Sequence, residues 1–138
     1  MRNLFFDANV IIDFLATREP FSTDAAFLFE LAEKNKIRIF VSSVSFNVIY
    51  YILRQKIGNK ATISLLNDLA SLVEISDVTS FVIVNAILHD NVDFEDSIQY
   101  CTALNNPEIQ AIITRDPKGY KKSKLPVFSP HEILKNIK

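Results

Sequence analysis

Apolar residues recur along this chain in two alternating rhythms. Residues 3–7 (NLFFD) read as a short buried strand that ends in an acid, and residues 8–16 (ANVIIDFLA) change to helical spacing. A second helix is expected from Ser22 or Thr23 to about residue 35, with Phe27, Leu28 and Leu31 as its core-facing stripe and Glu30, Glu33 and Lys34 outside. Residues 37–41 (IRIFV) alternate and are rich in β-formers, which predicts the second strand. Ser42 and Ser43 end it and can cap a helix rich in apolar and aromatic residues. Gly58 stops that helix, and Asn59 restarts another to about residue 72. Residues 73–76 make a third strand, and Asp77 or Thr79 caps a helix that ends near His89. Residues 93–105 form the next helix, with Asp93 and Asp96 in the first turn, where the helix dipole favours negative charge. Residues 109–114 (IQAIIT) are a fourth strand, and Val127 with Phe128 pairs at a sheet edge. Ser129 and Glu132 then fit a capping box, with Pro130 at the first helical position of a final helix.

Strands thus alternate with helices throughout. The pattern predicts an α/β fold, a three-layer α/β/α sandwich with a mainly parallel central sheet, built as a single domain over residues 1–138. Hydrophobic residues make up 49% of the chain, which suffices for a full core, and only two glycines argue against a sandwich or barrel full of tight turns. The net charge of −1 provides no global basic field, so any nucleic-acid site must be a local patch. The single cysteine, Cys101, has no internal partner and fits a reducing compartment. Asp7 and Asp13 interrupt the N-terminal segment where a secretory signal needs an unbroken apolar core, and no apolar run approaches the ~20 residues of a membrane span. A cytoplasmic protein without membrane contact is expected.

In parallel α/β sheets, ligands bind outside the carboxyl ends of the strands. Asp7 and Asp116 follow two of the strands there, and Asp93 and Asp96 open a helix that would start on the same edge. Converging carboxylates repel, and each resists ionisation alone. A divalent cation resolves that conflict, and magnesium or manganese suits oxygen ligands. Such an ion can promote attack of water on a phosphodiester. Each acid also has a plain structural reading: Asp96 as a capping partner of Asp93, Asp116 as a turn residue before Pro117. Asp7 is harder to explain that way, because an acid following Leu-Phe-Phe at a buried strand end is costly without a partner. Asp13, further along the helix, reads as solvated or salt-bridged.

The opening FFDANVIIDFL resembles the first motif of PIN domains, in which a strand ends in Asp followed two residues later by Asn, here Asp7 and Asn9. DFEDSIQYCTAL resembles the motif carrying the third acid, Asp96, and AIITRDPKGY resembles the late strand motif, with Thr114 supporting and Asp116 as the last acid. The three occur in the family's order over nearly the whole chain. The likeness is to single-domain bacterial members, including toxin ribonucleases of toxin–antitoxin pairs. It implies a PIN-like fold, a Mg²⁺ or Mn²⁺ site on Asp7, Asp96 and Asp116, and cleavage of RNA. The family usually carries another acid in the helix after strand two. That position falls on Asn47 or Val48 here, and Gly119 stands where an acid often follows the late motif.

Asn9, Asn47, Asp93 and Thr114 are therefore the expected supporting residues, and Arg115, Lys118, Lys121 and Lys122 the expected RNA-holding cations, although a basic loop is often simply solvated. His89 and His131 sit at helix ends and do not suggest zinc. The reading is a divalent-metal-dependent endoribonuclease of toxin type, with RNA, an antitoxin protein and a second copy of itself as partners. The resemblance alone implies the antitoxin, and the aromatic helix around Phe46, Tyr50 and Tyr51 is the candidate self-association patch. The alternative is a catalytically weakened domain that binds RNA or protein; a third reading is a phosphatase or DNA nuclease.

Overall fold

The computed structural model describes residues 2–89 and 93–137. Five parallel strands, β1 (Asn3–Phe6), β2 (Arg38–Ser42), β3 (Glu74–Ser76), β4 (Ala111–Ile113) and β5 (Val127–Phe128), form one sheet in the order β3-β2-β1-β4-β5. The helices are α1 (Ala8–Leu15), α2 (Phe21–Glu33), α3 (Ser43–Leu72), α4 (Ser80–Leu88), α5 (Phe94–Leu104) and α6 (Pro130–Ile137), with a 3₁₀ turn, η1 (Pro117–Tyr120), after β4. The three-layer α/β arrangement expected from the alternating pattern is the one observed.

The strands show why. Leu4 and Phe6 of β1, Ile39 and Val41 of β2, and Ala111 and Ile113 of β4 all enter one core with α1, α2, α3 and α6. The intervening Phe5, Phe40 and Ile112 enter a second core on the opposite face, with Tyr100 and Ala103 of α5 and Tyr120 of η1. Each buried Val, Leu, Ile or Phe among them contributes ~1.5–3 kcal/mol. A one-residue slip of β1 would exchange the faces of all three of its apolar residues, so the register Leu4↔Ile39 and Leu4↔Ala111 is strongly specified.

Local signals set the boundaries. Ser42 Oγ accepts from Ser45 N at 3.2 Å and opens α3, and Thr79 rather than Asp77 caps α4. Gly58 lies at φ +81°, a conformation that side chains disfavour, and the two expected helices run on as one element kinked there. Ser129 and Glu132 form the reciprocal capping box. One expectation about α2 changes: Phe27 is 53% exposed, whereas Phe29 fills the core beside Leu28 and Ala25 and stacks on Phe14 at 4.3 Å. The buried stripe is shifted around the helix from the one the spacing suggested.

Candidate functional site at the β1–β4 junction

After β1 the chain builds outward to β2 and β3, then returns to place β4 and β5 on the other side of β1. Connections therefore diverge at the carboxyl ends of β1 and β4, the position where parallel sheets leave a crevice. Asp7 directly follows β1 and Thr114 directly follows β4. The ladder holds them together, since Asp7 N donates to Ile113 O at 2.9 Å.

Asp7 is 8% exposed, and burial raises its pKa. Hydrogen bonds oppose that rise without cancelling it: Tyr120 Oη donates to Asp7 Oδ2 at 2.9 Å, and Thr114 Oγ1 donates to the same oxygen at 3.0 Å. Thr114 is a hub, accepting from Asn9 Nδ2 at 3.2 Å and from Asp116 N at 3.1 Å. Asn9 also accepts from Arg115 N at 3.3 Å through Oδ1. Asp7, Asn9, Thr114 and Asp116 thus belong to one connected network.

Asp96 joins them from the start of α5. Burial first, then the charges of Asp7, Asp93, Asp116 and Glu95, push its pKa up to about 6. Glu95 is raised by burial and by Asp7 and Asp93. Asp93 and Asp116 also carry local duties: Asp93 Oδ1 accepts from Glu95 N at 2.7 Å and caps α5, and Asp116 Oδ1 accepts from Lys118 N at 3.3 Å. Among the described residues, no three Asp, Glu, His or Cys side chains are grouped tightly enough to hold a metal ion between them as they stand. The acids nevertheless sense one another's charge, and the donor set is all oxygen. That chemistry suits a hard cation that keeps several of its own waters and takes one or two carboxylates directly; Asp7 and Asp96 would be the residues to hold it.

The expected neutral stand-in for the missing acid is less engaged. Asn47 is exposed on α3 and, among the described residues, hydrogen-bonds to none of these acids. The buried polar groups at the carboxyl end of β2 are instead Ser42, Ser45 and Gln99. The two serine hydroxyls lie 3.0 Å apart, and Gln99 Nε2 donates to Ser45 Oγ at 2.8 Å. Gln99 Oε1 is buried without a partner among the described residues.

Arg115, expected to hold RNA, is half-buried and engaged by other parts of the protein. Its Nε lies 2.5 Å and its Nη2 3.2 Å from the carboxylate of buried Asp13, and its guanidinium stacks 4.1 Å from the centroid of the Phe21 ring. Asp13 is therefore salt-bridged, with Arg18 as a further partner at 3.7 Å. Lys118, Lys121 and Lys122 remain exposed beside the crevice. Sequence reading missed Tyr120, because a tyrosine in a lysine-rich loop reads as a surface residue. It also missed the Ser45–Gln99 pair, which joins residues far apart in the chain.

The PIN domain family model matches residues 3–118. Similar solved structures include DNA-bound VapBC from Salmonella typhimurium, with 14% identity over 94% of this chain and 99% of that chain and a TM-score of 0.68. A toxin–antitoxin complex from Klebsiella pneumoniae aligns with 18% identity over 92% and 97%, TM-score 0.67. VapC20 from Mycobacterium tuberculosis, described as a Sarcin-Ricin loop cleaving toxin, aligns with 15% identity over 86% and 94%, TM-score 0.67. At these identities the likeness is one of fold. No curated protein matches the chain.

Proposed function

Because the chain belongs to the PIN domain family, we propose that it is a divalent-metal-dependent endoribonuclease of toxin type that hydrolyses RNA phosphodiester bonds. The observation that carries the reading is Asp96: a carboxyl held up to about 6 by burial and by four neighbouring acids marks a crevice with more negative charge than the protein neutralises. A Mg²⁺ or Mn²⁺ ion bound there would supply the charge that offsets build-up on the phosphoryl oxygens and promotes attack by water.

The chain's own residues do the rest. Asp7 and Asp96 hold the ion, with Asp116 at the rim supplying further negative charge. Thr114 and Asn9 fix Asp7 and the β4 terminus, and Asp93 fixes the first turn of α5 beneath Asp96. Lys118, Lys121 and Lys122 would hold the phosphates of the strand without reading its sequence.

The partners follow the same reading. The similarity to the toxin–antitoxin complex from Klebsiella pneumoniae supports an antitoxin protein as inhibitor. A second copy is supported by α4, whose Phe81, Val84, Ile87 and Leu88 are 64%, 55%, 64% and 78% exposed on a helix without a single charged residue. That stripe is larger than the one around Phe46, Tyr50 and Tyr51, where Phe46 packs on the core and Tyr50 bonds to Asn59. Among the described residues, no helix is long and apolar enough to cross a membrane, and we assign the protein to the cytoplasm.

The exposed Asn47 and the loose grouping of acids favour a second reading, a weakened domain that binds RNA or protein. Gel-resolved cleavage of a mixed-sequence single-stranded RNA separates the two. Cleavage should appear at millimolar Mn²⁺, stop with chelator and be abolished by Asp7→Asn, and Asn47→Asp should raise it. If wild type and Asn47→Asp are both inert while RNA still binds, the binding-module reading replaces the catalytic one.

A further inference from the structure

The η1 turn touches both acids on which the proposed metal site rests. Tyr120 is 4% exposed and packs its ring in the second core with Phe5, Phe40 and Tyr100. A phenol so buried needs a hydrogen-bond partner, and Asp7 Oδ2 is that partner. Thr114 and Tyr120 both donate to Oδ2, and the other oxygen of Asp7 carries neither hydroxyl.

The preceding residue meets the other acid. A Cβ added at Gly119 would overlap Asp96 Oδ2 and lie 2.6 Å from Asp96 Cγ. The overlap involves the Cβ itself, so no rotamer at position 119 relieves it, and Asp96 would have to swing away. Gly119 is not at a positive φ; space, not backbone freedom, explains the glycine. Residues 119 and 120 are adjacent, ~3.8 Å apart at Cα, so the acids they touch keep a fixed relation while the turn holds.

We propose that the Gly119–Tyr120 step is a gauge that sets the relative position of Asp7 and Asp96, with the Tyr120 hydroxyl locating Asp7 and the bare Cα of Gly119 leaving room for Asp96. Both are positioning residues. The proposal rests on the metal-ion reading above for its consequence, but the two contacts exist without metal.

The test has two arms. In the first, Mn²⁺ affinity is measured by electron paramagnetic resonance for wild type, Tyr120→Phe and Gly119→Ala. Tyr120→Phe keeps the ring and removes only the hydroxyl; Gly119→Ala adds one methyl group at a partly exposed turn. Each should weaken binding by about tenfold, the scale typical when a group supporting a ligand is lost. In the second arm, thermal unfolding is followed in chelator. The effect of Gly119→Ala should disappear in an Asp96→Ala background, and that of Tyr120→Phe in an Asp7→Ala background, because each substitution acts through its acid. Unchanged Mn²⁺ affinity in both variants, with measurable wild-type binding, overturns the gauge and leaves the metal reading standing. If wild type binds no Mn²⁺, the metal reading fails, and the chelator arm alone decides: coupling supports the gauge and additivity overturns it.

Discussion

Thr114 Oγ1 donates to Asp7 Oδ2 across 3.0 Å, tying the end of β4 to the end of β1 at the point where the sheet's connections diverge. Thr114→Val preserves shape and removes the hydroxyl. Asp7 then loses a donor, and Asn9 Nδ2 and Asp116 N lose an acceptor. Unsatisfied buried polar groups cost ~1–3 kcal/mol. We expect a loss of that order in denaturant unfolding and a fall of ~10–100-fold in Mn²⁺ affinity. A variant equal to wild type in both would remove Thr114 from the site.

Arg115 pairs with buried Asp13 in the free protein. Removing one partner of a buried ion pair costs ~3–5 kcal/mol, and the partly exposed guanidinium lowers that to roughly 2–3 kcal/mol. Arg115→Ala should therefore destabilise strongly, and Asp13→Ala in the same chain should recover much of the loss. RNA affinity measured well below the unfolding midpoint should change little in Arg115→Ala. A large loss of RNA affinity in a fully folded variant would restore Arg115 to the RNA-holding set.

The crowded acids make stability depend on pH in a definite direction. Asp96 is raised from the ordinary 3.8 to about 6, and Asp7 and Glu95 are raised too. An acid with a raised folded value binds its proton more tightly in the folded state. Its stabilising contribution is complete below the unfolded value and is lost as pH rises through the folded value. In chelator, the thermal midpoint should accordingly be higher at pH 5 than at pH 7.5. Glu132, whose value is lowered by its capping hydrogen bonds, adds only a small opposing slope near pH 5. Asp96→Asn should flatten the profile, and millimolar Mn²⁺ should do so too by stabilising the ionised form. A midpoint that rises from pH 5 to 7.5 in chelator would contradict the electrostatic account.

Leu88 is the most exposed apolar residue of the α4 stripe. If two copies meet there, the wild type should sediment at twice the 15.7 kDa chain mass and Leu88→Glu at the chain mass, because a charge in an isologous patch is buried twice. A wild type that stays monomeric as concentration increases would remove this interface.

Much of this was legible because the sheet writes its pattern plainly. Phe5 lies between Leu4 and Phe6 on the opposite face, and the same alternation recurs in β2 and β4. Asp7 and Asp96 could be picked out because one ends a strand and the other begins a helix, and Thr114 because its segment resembles the late motif of the family. Phe29 was missed because α2 carries adjacent large apolar residues, Phe27, Leu28 and Phe29, and only packing decides which two turn inward. The contacts of Tyr120 and Arg115 were not foreseen for a common reason: their partners, Asp7 and Asp13, lie more than a hundred residues away. No local pattern announces such a pairing. Gly119 looked like a missing acid, and its role became visible only once Asp96 was placed against it.

The central claim is that the acids at the β1–β4 junction hold one divalent cation. Titration of Mn²⁺ into the metal-free protein, followed by electron paramagnetic resonance, tests it most directly. Wild type should bind one equivalent in the millimolar range or tighter. Asp7→Asn and Asp96→Asn should each lose that binding, and Asp68→Asn, exposed on α3, should keep it. Equal Mn²⁺ binding by wild type, Asp7→Asn and Asp96→Asn, or none by wild type, would contradict the account.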